Sequence, residues 1–233
     1  AAIYDLVYTA QGKSYQAESL YVAHVVRQRC PEAATLLDVA CGTGGHLQWL
    51  QQDFAVEGVE LSPAMAAVAR ERLPGVTVHE GDMRSFDLGR RFDAVTCLFS
   101  SIGYMVTEGD LHAAVTRMAA HLRPGGVLVV EPWLHPDTWR PGVVHADSAV
   151  GDGLAVSRVT RSTREADTTV VELRYSAATP ERTWSFVEEH RLALFTAAQY
   201  EAAFRAAGLH VEHDPVGPIG RGLFVGVHRR SGG

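Results

Sequence analysis

The sequence predicts an α/β fold with a mostly parallel sheet, helices on both of its faces and an inserted antiparallel β-sheet. Up to Trp133, short apolar segments alternate regularly with amphipathic ones, which is typical of buried parallel strands joined by helices. Residues 143–195 show no helical periodicity, and the segment 168–175 alternates as a half-exposed strand does. The residues on one face of that segment are Thr169, Val171, Leu173 and Tyr175. We therefore expect a core part at 1–142, an inserted β region for an acceptor at 143–195, and a C-terminal helix and strands that complete the core at 196–233.

The elements of the first half begin and end at recognisable residues. A helix is predicted over 14–29, where Ala17, Leu20, Tyr21 and Val25 recur at helical spacing before Pro31. A buried strand at 35–40 leads into a glycine-rich turn and a helix through Leu50, and a second strand lies at 56–61. Ser62 and Pro63, as N-cap and first-turn proline, open a helix at 64–73.

The later elements carry similar signals. Strands are expected at 76–79 and 92–99, and Thr107 caps a helix that runs to Leu122. Gly125 and Gly126 end the connection to an apolar β-branched strand at 127–130. After the insert, residues 196–199 form a capping box for a helix that Gly208 closes, and strands at 209–212 and 223–227 return to the main sheet.

Composition narrows the classes of function. The chain has 233 residues and a formal net charge of -6, which argues against a nucleic-acid partner because such proteins need a basic surface. No apolar run approaches the length of a membrane span, so we expect no membrane association and a cytoplasmic protein. The cysteines, Cys30, Cys41 and Cys97, are far apart and lack CxxC spacing, so neither a disulfide framework nor a metal site is expected.

A glycine-rich turn at 36–45, read LLDVACGTGG, predicts a ligand site between a strand and a helix. Glycines let a backbone approach a ligand closely, and a helix N-terminus favours an anion. The dinucleotide motif GxGxxG fails because Leu47 stands where its third glycine is required. The phosphate-binding motif GxxxxGK[ST] fails around Lys13, because Val7 replaces its first glycine and no strand precedes it.

The turn and the ends of the next two strands together resemble the class I S-adenosylmethionine-dependent methyltransferases. The pattern is Asp38-x-Ala40-x-Gly42-x-Gly44, then Glu60 after the second strand and Gly81-Asp82-Met83 after the third. The resemblance implies a Rossmann-like, seven-stranded methyltransferase fold with S-adenosylmethionine as cofactor. It also implies that the turn holds the methionine part, Glu60 the ribose hydroxyls, and Asp82 with Met83 the adenine. The family often has glycine where Ala40 stands.

A closer resemblance covers nearly the whole chain. Residues 37–44, 99–104, 130–133 and 220–226 resemble the TDP-amino-sugar N,N-dimethyltransferases, which complete desosamine and mycaminose for macrolide antibiotics. The likeness begins at Tyr4-Asp5 and at residues 12–15. It implies N,N-dimethylation of the amine of a TDP-linked amino-dideoxyhexose in antibiotic deoxysugar biosynthesis. The amine position, C3 or C4, the number of methyl groups and the oligomeric state, with a homodimer as one option, stay open.

The site residues that these resemblances imply fall into three groups. Tyr104 stands where the family has an aromatic or His residue near the sugar amine, so it is the catalytic candidate. The cofactor candidates are Tyr4, Tyr15, Asp38, Ala40, Gly42, Gly44, Glu60, Leu61, Asp82, Met83 and Phe99. The substrate candidates are Ser101, Trp133, Arg158 and Arg221. An arginine matches a diphosphate because its guanidinium forms bidentate hydrogen bonds.

Methyl transfer to an amine requires a neutral nitrogen aligned with the methyl group. Alignment alone supplies much of such an acceleration, with effective molarities on the order of 10^5 to 10^8 M. Tyr104, a water or Glu131 could assist proton removal, and the sequence does not choose among them. The alternatives are an O- or C-methyltransferase on a related metabolite and a non-catalytic nucleoside-binding protein.

Overall fold

A seven-stranded sheet forms the centre of the molecule. The computed structural model describes residues 2–151 and 153–228. In chain order the strands of this sheet are β1 (Thr35–Val39), β2 (Ala55–Glu60), β3 (Thr77–Glu80), β4 (Phe92–Cys97), β5 (Leu122–Val130), β10 (Leu209–Asp214) and β11 (Leu223–His228). Their spatial order is β10-β11-β5-β4-β1-β2-β3, and β1 to β5 are parallel. Strand β11 runs antiparallel to β5 and β10, so the prediction of a mostly parallel seven-stranded sheet is confirmed.

Helices cover both faces of this sheet. In chain order the helices of the described residues are α1 (Ala2–Ala10), α2 (Tyr15–Arg29), α3 (Leu47–Leu50), α4 (Pro63–Arg72), α5 (Glu108–Ala120) and α6 (Ala197–Ala206), of which α1 does not lie on this sheet. Helices α2, α3 and α4 bury apolar residues against one face, and α5 and α6 against the other. The predicted N-caps Ser62 and Thr107 each accept a backbone N–H bond, and the capping box at Thr196 is present.

The second sheet is antiparallel, as the sequence predicts. Its strands, β6 (Val144–Gly151), β7 (Leu154–Glu165), β8 (Thr168–Ala178) and β9 (Thr183–Ala193), are neighbours in that order. On β8, Thr169, Leu173 and Tyr175 of the predicted face are buried, but Val171 is half-buried and Val170 on the opposite face is buried, so the alternation holds only from Leu173 onward. Strands β6 to β9 lie within residues 143–195, while the division of the chain into three functional parts stays a prediction.

Two local predictions need correction, and one helix was not predicted. Helix α2 forms, but its buried face carries Val22 and Val26, whereas Leu20 is 57% exposed. The strand predicted at 127–130 begins earlier, at Leu122, and the glycine pair lies inside it, where the pairing with β4 shifts register. Helix α1 was not predicted, and it packs on the second sheet through Ile3, Leu6 and Val7.

Within the described residues, no helix combines the length and hydropathy needed to cross a membrane.

Candidate active site

The glycine-rich turn after β1 is held by the carboxylate at the end of β2. Glu60 accepts the Gly42 N–H at 2.8 Å on one oxygen and the Ser62 N–H at 2.8 Å on the other. Gly42 and Gly44 are left-handed, with φ of 57° and 79°, and Ala40 shares this conformation at 59°. A side chain rarely adopts such a φ, which explains why a glycine suits the position of Ala40. Each Glu60 oxygen keeps a lone pair for a further donor.

Asp38 lies beneath this turn and is almost completely buried. Its side chain accepts the Thr96 hydroxyl at 2.7 Å, and the residue is 2% exposed. Burial raises the pKa of the Asp38 carboxyl to about 7, and the nearby charge of Glu60 acts in the same direction. The Asp38 side chain therefore joins the end of β1 to β4, and its carboxyl titrates near neutrality.

The ends of β2 and β3 lie side by side and carry three more of the cofactor candidates. Leu61 directly follows Glu60 and is 66% exposed. Met83 packs partly into the core, and Asp82 is bound by the Arg84 guanidinium, with Nη2 at 2.5 Å. The hydrogen bonds from Arg84 lower the pKa of Asp82, so this carboxyl is charged and already paired.

A cavity of about 980 Å³ lies between α1, the ends of β4 and β5, and the inner face of the second sheet. The sequence-predicted residues that line it are Tyr4, Phe99, Ser101, Tyr104, Trp133, Arg158 and Arg221. The predicted residues outside its lining are Tyr15, Asp38, Ala40, Gly42, Gly44, Glu60, Leu61, Asp82 and Met83. Met65, in the first turn of α4, extends the cavity toward the end of β2. The structure thus brings all four substrate candidates and Tyr104 into one cavity.

Tyr104 ends a 3-10 turn, Ser101–Tyr104, and reaches across to the second sheet. Its hydroxyl lies 2.7 Å from Nδ1 of His190 on β9. Burial raises the pKa of the Tyr104 phenol, so the group stays protonated and is a weak base at neutral pH. This pair is suited to orienting a polar group of an acceptor.

The turn at the end of β4 is strained and is held from below by Glu131. Phe99 and Ser100 are both left-handed, with φ of 52° and 60°. The Phe99 N–H donates to the Glu131 carboxylate at 3.2 Å, and the Ser100 hydroxyl donates to the Pro132 carbonyl at 2.7 Å. Glu131 is 1% exposed and lies outside the cavity lining, so its geometry fits a support for Phe99 rather than a base.

Three guanidinium groups line the cavity, and Arg140 among them donates to the backbone carbonyls of Asp137 and Trp139. Arg158 is paired with Asp147 at 2.8 Å and lies 5.2 Å from the Tyr8 ring. Arg221 donates to the Ser100 hydroxyl at 2.9 Å and lies 4.7 Å from the centre of the Trp133 ring. Three further arginines of the second sheet lie outside the lining and pair with acidic residues: Arg161, Arg164 and Arg174.

The start of α2 packs against the back of the glycine-rich turn. The Tyr15 ring leaves no room for a side chain at Gly45, and it meets the His46 ring at 5.0 Å. The Lys13 ammonium lies 3.5 Å from the centre of the Phe99 ring and 2.6 Å from a Glu18 oxygen. Burial lowers the pKa of Lys13. Tyr15 and Lys13 therefore connect the turn to Phe99.

Comparisons with known proteins agree with this geometry. A family model described as a methyltransferase domain matches residues 36–126. The dTDP-3-amino-3,6-dideoxy-alpha-D-glucopyranose N,N-dimethyltransferase of Streptomyces fradiae is 52% identical over 234 positions, covering 100% of this chain and 92% of the relative. The chain belongs to the TDP-amino-sugar N,N-dimethyltransferases.

Solved structures extend the likeness to the fold of this N,N-dimethyltransferase. Streptomyces venezuelae DesVI is 51% identical with a TM-score of 0.93, covering 97% of each chain. S-adenosylmethionine-bound CalS10, an amino pentose methyltransferase from Micromonospora echinaspora involved in calicheamicin biosynthesis, is 46% identical with a TM-score of 0.89. That alignment covers 97% of this chain and 96% of the other.

Three features of the N,N-dimethyltransferase site were missed by the sequence analysis. His190 meets Tyr104, Tyr8 contacts Phe99 edge to face at 5.0 Å, and Lys13 lies over the Phe99 ring. Residues 12–15 were noted only for their resemblance to the family. His190 had no local signal, because its contact with Tyr104 depends on how the second sheet is placed over the core.

Proposed function

We propose that the protein transfers two methyl groups from S-adenosylmethionine to the amine of a TDP-linked amino-dideoxyhexose in antibiotic deoxysugar biosynthesis. The observation that carries the proposal is the cavity itself, which joins Tyr104, Trp133, Arg158 and Arg221 at the carboxyl ends of the parallel strands. Open α/β sheets bind their ligands at this edge. The 52% identical relative, which acts on a 3-amino sugar by its name, favours an amine at C3.

The residues present fit the cofactor. In our proposal, Glu60 accepts hydrogen bonds from the ribose hydroxyls through the lone pairs that Gly42 and Ser62 leave unused. Leu61 has an exposed apolar side chain beside that site, as an adenine contact requires, with Asp82 and Met83 on the adjacent strand end. The methionine part is assigned to the turn at Asp38, Ala40, Gly42 and Gly44, with Tyr4, Tyr15 and Phe99 around it. When bound, S-adenosylmethionine supplies an electrophilic methyl group.

The proposed acceptor site explains why one cavity holds arginines, which suit a diphosphate, and also a serine and a tryptophan, which suit a sugar. A sugar nucleotide carries a dianionic diphosphate, and Arg221 offers its guanidinium beside a neutral hydroxyl and an aromatic ring. Arg158 also faces the cavity, but its pairing with Asp147 offsets its charge, so we assign Arg221 the larger share of diphosphate binding. Ser101 and Trp133 line the part of the cavity nearest Tyr104 and are assigned to the sugar.

The proposed chemistry is alignment of a neutral amine. The raised pKa of Tyr104 keeps its phenol protonated, so we assign it to hydrogen bonding with the amine or a neighbouring hydroxyl rather than to strong base catalysis. His190 fixes the Tyr104 hydroxyl at 2.7 Å. A water molecule carries the proton away, since the Tyr104 side chain at this site is 47% exposed, and Phe99 and Tyr4 form part of the cavity wall. Effective molarities on the order of 10^5 to 10^8 M make alignment sufficient for much of the rate.

We also propose a homodimer and action in the cytoplasm. The outer face of the second sheet carries the exposed valines Val144, Val150, Val159 and Val187, which supports an association of two copies. Sedimentation of the purified protein tests the dimer. A cytoplasmic site of action fits an enzyme that uses two intracellular metabolites.

The experiment for the proposed function is transfer of labelled methyl groups to a panel of acceptors. The panel contains TDP-3-amino and TDP-4-amino sugars, each with its hydroxy counterpart. We expect labelling of amino sugars and none of the hydroxy sugars. Labelling of the hydroxy sugars would indicate an O-methyltransferase, and no labelling at all would favour a nucleoside-binding protein.

A further inference from the structure

Helix α1 contacts the glycine-rich turn through the Asp5 side chain. Its Oδ1 accepts the Thr43 hydroxyl at 2.8 Å, and its Oδ2 accepts a hydrogen bond from Nη2 of Arg72. Arg72, in the last turn of α4, also donates to the Thr43 hydroxyl at 3.2 Å. Thr43 stands between Gly42 and Gly44 and is 2% exposed. One three-residue contact therefore joins α1, the turn and α4.

Other faces of the same short helix contact the acceptor cavity. Ile3, Leu6 and Val7 pack into the apolar cluster of the second sheet that contains Leu173 and Tyr175. Tyr4 and Tyr8, one helical turn apart, meet each other at 4.7 Å and line the cavity. Nine residues of α1 thus connect the proposed cofactor turn with the walls of the proposed acceptor site.

We propose that Asp5 is a positioning residue that couples cofactor binding to acceptor binding through α1. The inference rests on the proposed function, because it takes the turn as the cofactor site and the cavity as the acceptor site. A ligand that fixes the turn also fixes Thr43, and through Asp5 it fixes the helix that carries Tyr4 and Tyr8. Linkage makes this effect reciprocal, so the sugar nucleotide must strengthen cofactor binding by the same factor.

The exposure of the contact between Asp5 and Arg72 indicates that it contributes little to the stability of the fold. The Asp5 and Arg72 side chains are 22% and 27% exposed, and partly exposed ion pairs contribute little to the stability of a fold. The large apolar contact of α1 with the second sheet remains when Asp5 is changed. A change at Asp5 is therefore expected to leave the protein folded and to release α1 from the turn only.

The test measures TDP binding by calorimetry, with and without saturating S-adenosylhomocysteine. For the unmodified protein we expect S-adenosylhomocysteine to tighten TDP binding by about 5-fold or more. A factor of about 5 is at the lower end of typical allosteric coupling. Asp5→Asn should reduce this ratio to about 1, and Arg72→Ala should do the same without altering α1. Thr9→Ala, at an exposed position on α1, is the matched control and should keep the original ratio.

The outcomes separate the inference from the function on which it rests. If the unmodified protein binds neither ligand, the proposed function fails and the inference fails with it. If both ligands bind but are uncoupled, or if Asp5→Asn and Arg72→Ala keep the original ratio, only the inference is overturned. Loss of folding in both variants would also overturn it, because the contact would then hold the fold rather than couple two sites.

Discussion

Replacing Asp38 by asparagine should remove a pH dependence from the stability of the ligand-free protein. The carboxyl is 2% exposed and its pKa rises to about 7 through burial. The unfolded chain releases this proton near its ordinary pKa of 3.8, whereas the folded protein keeps it up to about pH 7. The folded state therefore binds more protons in this interval, and its free energy of unfolding falls as pH rises from about 4 to about 7.

The magnitude follows from the two pKa values. At 1.36 kcal/mol per pH unit, a rise from 3.8 to about 7 corresponds to a total loss of about 4 kcal/mol in alkaline solution. Roughly 2 to 3 kcal/mol of this loss falls between pH 5 and pH 8. Asparagine has almost the same shape, keeps an oxygen for the Thr96 hydroxyl and does not titrate. The variant should therefore gain stability relative to the original protein at pH 8.

The assay is urea unfolding of both proteins at pH 5 and pH 8 without ligands. We expect the stability difference between Asp38→Asn and the original protein to grow by roughly 2 to 3 kcal/mol from pH 5 to pH 8. Asp53→Asn changes an exposed carboxylate and should show no such growth. The same difference at both pH values would refute the reasoning, because Asp38 would then ionise in the folded protein as it does in the unfolded chain.

The other predictions concern ligand binding and turnover. Glu60→Gln should weaken S-adenosylmethionine binding by roughly 10-fold or more, as calorimetry can measure, because the side chain loses its charge and one of the two acceptor oxygens that our proposal assigns to the ribose hydroxyls. Tyr104→Phe should retain substantial activity, and single-turnover rates of both proteins should rise with pH as the acceptor amine deprotonates. Arg221→Ala should raise the Kd of the sugar nucleotide by roughly 10-fold, with little change in the Kd of the cofactor. This effect should be larger than that of Arg158→Ala, because Arg158 is already paired with Asp147. Arg221→Lys should restore part of the affinity for the sugar nucleotide.

Each of these predictions has a contradicting outcome. Unchanged cofactor affinity in Glu60→Gln would remove the ribose assignment. Nearly complete loss of turnover in Tyr104→Phe with both substrates still bound would make Tyr104 a general base. Equal losses of affinity for the cofactor and the sugar nucleotide in Arg221→Ala would indicate that Arg221 stabilises the turn at Phe99 and Ser100 rather than binding the diphosphate.

Local sequence signals predicted the core of the fold well. Ser62, Thr107 and Thr196 mark helix starts because an N-cap satisfies backbone N–H groups only a few residues away. Apolar runs predicted the parallel strands because both faces of that sheet are covered. The glycine-rich turn was also predicted from a local signal, because its conformation depends on glycines within three residues of one another.

Contacts between distant segments were not predictable in the same way. Tyr104 and His190 are 86 positions apart, and their pairing depends on the placement of the second sheet. Arg158 and Asp147 meet through the register of β6 and β7, which the sequence does not specify by itself. The buried face of α2 was misjudged at Leu20, because the helix meets the core through a different stripe that includes Val22.

The most direct test of the central claim is the structure of the product formed from TDP-3-amino-3,6-dideoxyglucose and S-adenosylmethionine. Mass spectrometry counts the methyl groups added, and NMR of the purified sugar nucleotide identifies the atom that carries them. We predict a product with two methyl groups, both on the sugar nitrogen, and no product from the 3-hydroxy counterpart under the same conditions. Recovery of unmethylated amino sugar, or of a methyl group on oxygen or carbon, would contradict the proposed function.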